Sequence, residues 1–101
     1  MKLRRSKHKQ AVGDLVSRLQ EKYPNQTIHQ DWEYGINNTT LGQVDVWRQN
    51  ENGTLFFYEV KTGKYKRAQA QKQYENFKFH CPEYNSKGIY YHPIVGVRRL
   101  K

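Results

Sequence analysis

The chain has one cysteine, three prolines and one methionine in 101 residues. A lone cysteine, Cys81, cannot close an internal disulfide, so no covalent staple holds this chain together. Apolar residues are scarce too, at 36% against the ~45–50% of an ordinary globular chain. No apolar run approaches the ~20 residues needed to cross a bilayer. The basic stretch Met1–Lys9 is not followed by the apolar segment of a secretory leader, so an intracellular protein is expected, in cytoplasm or nucleoid or, if viral, in a host cell. Internal repeats, low-complexity tracts and linkers are missing. A membrane span, a disulfide mini-protein and a multidomain machine are excluded, leaving a single domain over residues 1–101 with residues 1–9 as a basic arm.

Acidic residues are the other scarcity. Nine Asp and Glu face 18 Lys and Arg, which leaves a formal charge of +9 and an isoelectric point near 9.8. Self-repulsion of that size is tolerated when the partner is a polyanion, and it is the electrostatic footprint of a nucleic-acid binder. Aromatic residues, at 14%, must supply much of the small core.

The spacing of Val12, Leu15, Val16, Leu19 and Tyr23 follows one face of a helix, with Ser6 as N-cap and Pro24 as terminator. Residues 26–36 alternate loosely and read as a strand. Leu41–Arg48 and Thr54–Lys61 read as two more, rich in β-branched and aromatic residues. Lys66–Phe79 reads as a helix with Ala70, Tyr74 and Phe77 inward, stopped by Pro82. Gly88–Val97 supplies one or two last strands, interrupted at Pro93. The expected class is α/β, a mixed sheet flanked by helices in the order α-β-β-β-α-β.

Asp45 falls inside the second strand, and Glu59-Val60-Lys61 closes the third. Strand side chains alternate, so Glu59 and Lys61 share a face and Val60 takes the other. Whether Asp45 faces Glu59 depends on the turn. A two-residue Asn52-Gly53 turn would set Asp45 opposite Val60, whereas the three-residue loop Glu51-Asn52-Gly53 sets it opposite Glu59. The longer loop needs a left-handed residue at its last position, and Gly53 is there. Two converging carboxylates make a hard oxygen site suited to Mg²⁺ or Mn²⁺, with the Val60 carbonyl as a possible third ligand. Lys61 would stand ready to hold a water or neutralise developing charge.

Asp45 followed by Glu59-x-Lys61, between two helices, resembles the PD-(D/E)XK phosphodiesterase superfamily, which includes restriction endonucleases, Holliday-junction resolvases and RecB-type exonucleases. The resemblance spans most of the chain and implies a restriction-endonuclease-like fold, with Asp45 and Glu59 as metal ligands and Lys61 as the catalytic lysine. Val44 replaces the proline that often leads the motif. Gln73-Tyr74-Glu75-Asn76-Phe77 is similar to the glutamine-bearing helix motif of RecB-type members, which makes Gln73 a candidate active-site residue. The helical acidic ligand of many members has no clear counterpart here; Asp14 is nearest, and it could equally pair with Arg18.

The resemblance implies a metal-dependent nuclease acting on DNA, selective for structure rather than base sequence because little chain is left over to read bases. Lys64, Lys66, Arg67 and Lys72, with Arg5 and Lys9 from the arm, would grip phosphates around the site. A homodimer would allow both strands to be cut. The rival reading is a non-catalytic nucleic-acid-binding protein on the same fold, and a weaker one is an RNA-binding protein within a larger assembly. Gly88-Ile89-Tyr90 and Ile94-Val95-Gly96 mimic a GIY-YIG nuclease, but no acidic residue follows them. His8, His29, His80 and His92 show no zinc or HNH-like spacing.

Overall fold

The computed structural model describes residues 6–64 and 66–101. Helix α1 (Lys7–Lys22) is followed by strands β1 (Ile28–Ile36), β2 (Thr39–Gln49) and β3 (Leu55–Val60), helix α2 (Arg67–His80), and strands β4 (Ser86–His92) and β5 (Gly96–Arg99). The sheet is mixed, in the spatial order β1-β2-β3-β4-β5. Neighbours are antiparallel except β3 and β4, which run parallel and are joined through α2. The class is the expected α/β, but the order is α-β-β-β-α-β-β: the chain turns at Pro93 and returns as a separate strand. The basic arm also ends earlier than expected, since residues 7–9 belong to α1. Among the described residues, no helix is long and apolar enough to cross a membrane.

Local chemistry accounts for the elements. The Ser6 hydroxyl accepts from the Lys9 N–H at 3.1 Å and so caps α1. Ala11, Val12, Leu15 and Leu19 form its buried stripe. The β2–β3 hairpin closes with the three-residue loop. The Gly53 N–H donates to the Asn50 carbonyl, the Asn50 side chain accepts from the Asn52 and Thr54 N–H groups, and Gly53 has φ +80°. The resulting register pairs Val46 with Tyr58 and Trp47 with Phe57, which carries Asp45 towards Glu59.

Two apolar layers sandwich the sheet. Val46, Tyr58, Val60 and Tyr91 pack with the α1 stripe. Tyr34, Val44, Leu55, Phe57 and Tyr90 pack with Ala70, Tyr74 and Phe77 of α2. Simple alternation would put Val44 and Val46 on the same face, yet they enter opposite layers. The neighbouring strand shows the reason. β1 passes through a left-handed residue, Asp31 at φ 60°, flanked by the pairs Gln30–Val46 and Trp32–Val44. Aspartate tolerates that conformation better than most residues. Both strands exchange faces there, and Asp45 sits at the crossover.

The parallel strand β4 passes close beneath α2. A methyl group at Gly88 would drive into the Tyr74 ring, which is buried and held by a 3.1 Å hydrogen bond between its hydroxyl and that of Ser86. Gly88→Ala should therefore cost about 2 kcal/mol or more through overpacking. Urea unfolding checks this as a lowered midpoint with an unchanged slope.

Candidate active site

β2 and β3 part at the end of their ladder, and the candidate residues occupy the fork. The last backbone pair between the two strands is Val46–Tyr58. Beyond it, the Val60 N–H donates to Asp45 Oδ2 at 2.9 Å, so a side chain takes over where the strand backbone would have accepted. Asp45 and Glu59 are both buried, at 8% and 3% exposure. The Lys61 ammonium lies 3.8 Å from Glu59 Oε1. The structure thus brings together Asp45, Glu59 and Lys61. It ties Val60 in through its N–H, a contact that strand alternation does not foresee.

The electrostatics of the fork are unbalanced. Burial pushes the Glu59 carboxyl up from 4.5 to about 9, and the charge and hydrogen bonding of Asp45 push the same way, while Lys61 opposes them. Among the described residues, Glu59 Oε2 has no hydrogen-bond partner, and it is buried. An acid in this state favours either a proton or an added cation.

Helix α2, residues 41–43 of β2 and Tyr34 of β1 line a cleft of about 390 Å³, whose lining does not include Asp45, Glu59 or Lys61. Gln73 lies in it beside Gln69, Lys72 and Asn76 of the same helix and Gln43 of β2, and its buried Oε1 has no hydrogen-bond partner among the described residues. Asn76 donates to the Tyr34 hydroxyl at 2.9 Å and to the Leu41 carbonyl at 3.0 Å, which anchors α2 to the β1–β2 hairpin. Burial raises the Tyr34 phenol from its ordinary value, against the Asn76 hydrogen bond, with Cys81 and Glu59 adding to the rise.

Sequence reasoning missed two contributors. His8 Nε2 lies 3.5 Å from Asp45 Oδ2. Its signal was its place four residues before Val12, on the same stripe of α1. Tyr34 and Asn76 form the other contribution. Asn76 follows Gln73 by three residues, so the two share a helix face.

The remaining candidates are dispersed. Asp14 is exposed on α1. Among the described residues no group of three or more His, Cys, Asp or Glu side chains is placed to hold a metal, so Asp14 does not complete the carboxylate pair. Lys9, Lys64, Lys66 and Lys72 are exposed. Arg67 is half-buried and donates to the Arg99 carbonyl at 2.8 Å, which engages part of its guanidinium within the fold. Arg5 lies outside the described residues. No family model matches the chain, and no curated protein sequence does either.

Proposed function

We propose that this chain is a metal-dependent nuclease with a restriction-endonuclease-like core, hydrolysing DNA phosphodiester bonds with selectivity for structure rather than sequence. The observation that carries the reading is the buried Asp45–Glu59 pair at the strand fork with the Lys61 ammonium 3.8 Å from Glu59. Two carboxylates buried together are unfavourable without a positive partner, and the formal charge of +9 suits a phosphate backbone as substrate.

Mg²⁺ or Mn²⁺ is the cation implied. The donor set fits it: two carboxylates, one with a buried oxygen that has no hydrogen-bond partner among the described residues. Asp45 and Glu59 would hold it, with the Val60 carbonyl as a further oxygen. Bound there, such an ion supplies charge to polarise a phosphodiester and to acidify a water. The chain's own groups do the rest. The Val60 N–H and His8 orient Asp45. Lys61 offsets negative charge building at the phosphate. Gln73 lines the cleft between α2 and β2, where it would meet the substrate. Lys9, Lys64, Lys66 and Lys72 attract the backbone around the site. A homodimer acting on a branched duplex and a monomer cutting single strands both suit this arrangement.

The second reading, a non-catalytic nucleic-acid-binding protein, draws on the lack of a third ligating side chain beside the pair among the described residues. One experiment separates the two. Lys61→Ala should bind a labelled DNA junction or single strand as the wild type does, yet cut it ~10²–10³-fold more slowly in Mg²⁺ or Mn²⁺. Wild-type protein that binds these substrates but leaves them intact with either ion establishes the non-catalytic reading.

A further inference from the structure

On the opposite face from α2, a pocket of about 340 Å³ opens between the C-terminal half of α1 and strands β3, β4 and β5. Helix α1 covers β1, β2 and β3. Beyond it, Ile89 of β4 stays half-buried and Val97 of β5 is 56% exposed. With Leu19 they make an apolar floor.

The walls carry four cations: Lys22, Arg48, Arg98 and Arg99. Arg48 is unusual among them. It is 4% exposed, and its guanidinium lies 3.8 Å and 3.9 Å from the ring centroids of Tyr23 and Phe56. Its Nε donates to the Tyr58 hydroxyl at 2.9 Å and its Nη1 to Gln26 Oε1 at 3.0 Å. Among the described residues it has no carboxylate partner. Aromatic faces and neutral acceptors offset part of the cost of burying the charge, but they do not neutralise it. The pocket therefore combines a surplus buried charge, three exposed cations and an apolar floor.

We propose that this pocket holds one nucleotide of a single-stranded nucleic-acid segment, with the base over Ile89 and Val97 and its phosphate among Lys22, Arg98 and Arg99. The inference rests on the nucleic-acid-binding part of the function proposed above and needs no cleavage. Charge complementarity selects this occupant. A second copy of the chain would bring a like-charged rim against this one, whereas an apolar floor beneath cations matches a base with its phosphate. Residues His8 and Lys22 lie at opposite ends of α1. At 1.5 Å per residue they are roughly 20 Å apart, so a strand reaching from fork to pocket would span several nucleotides.

The test uses the whole chain in EDTA, where no divalent ion supports cleavage, and a fluorescent single-stranded oligonucleotide read by anisotropy across a salt series. The variants change exposed residues only: Lys22→Ala with Arg99→Ala, and separately Val97→Glu. Each should weaken binding about tenfold, and the double alanine variant should flatten the log–log salt slope by about 1.4, two phosphate contacts' worth. Wild-type affinity and slope in both variants overturn the pocket while leaving nucleic-acid binding intact. A wild-type chain that binds no oligonucleotide refutes the underlying reading and this one with it. Light scattering that shows a wild-type dimer broken by Val97→Glu assigns the face to self-association and overturns the proposal.

Discussion

Glu59→Gln should abolish cleavage and, at the same time, make the metal-free protein more stable at pH 8. The two effects have one origin. In the folded chain, burial and Asp45 hold the Glu59 carboxyl up at about 9, whereas in the unfolded chain it titrates in the ordinary range near 4.3. Between those values the folded state binds the extra proton, so the stability of the metal-free wild type falls as pH rises from about 4.5 and levels off above about 9. Glutamine keeps the shape and carries no titrating proton. The pH-dependent gain over wild type should therefore be absent at pH 4 and reach a few kcal/mol by pH 8, or roughly 10 °C or more in Tm for a domain of this size. On the proposed function, activity should move the other way, dropping ~10³-fold or more with one of the two carboxylates proposed to hold the metal gone. Thermal unfolding at pH 4, 6 and 8, with and without Mn²⁺, reads the whole pattern. Added Mn²⁺ should raise the wild-type Tm at pH 8, release protons, and leave Glu59→Gln unmoved. A wild-type Tm indifferent to both pH and Mn²⁺ would mean that the fork is only a structural joint.

The second large effect is on stability alone. Arg48→Ala should destabilise the protein by about 3–4 kcal/mol, because it removes a guanidinium packed against two aromatic rings and orphans a buried phenol. Burial raises the Tyr58 phenol, and the hydrogen bond and charge of Arg48 are what pull it back. Arg48 also fastens the end of α1, through Tyr23 and Gln26, to the β2–β3 hairpin. Arg48→Lys should recover little, since an ammonium lacks the planar face that stacks between Tyr23 and Phe56. Chemical denaturation of the three proteins gives the comparison, and a loss below 1 kcal/mol for Arg48→Ala would show that the sandwich is incidental.

Much of this was legible in the residues because it depends on local chemistry. Ser6 and Pro24 bound the first helix, and the spacing of Ala70, Tyr74 and Phe77 gives the buried face of the second. Gly53 selects the hairpin loop, the loop selects the register, and the register brings Asp45 to Glu59. Short-range preferences thus set Asp45 and Glu59 on neighbouring strands in the register that lets them approach. Fold class and net charge follow from pattern and composition in the same way.

Other features arise only from contacts between distant segments. No periodicity announces the left-handed Asp31, so the exchange of faces at Asp45, and with it the opposite destinations of Val44 and Val46, emerges from pairing with β1. His8 meets Asp45 only because α1 is laid across that crossover. Arg48 gains its aromatic enclosure only when Tyr23, at the end of α1, closes over a guanidinium already beside Phe56 and Tyr58 of β3. Residue order settles what a segment prefers over a few neighbours. Burial, and the shifted carboxyl of Glu59 that follows from it, depend on what the rest of the chain places on top.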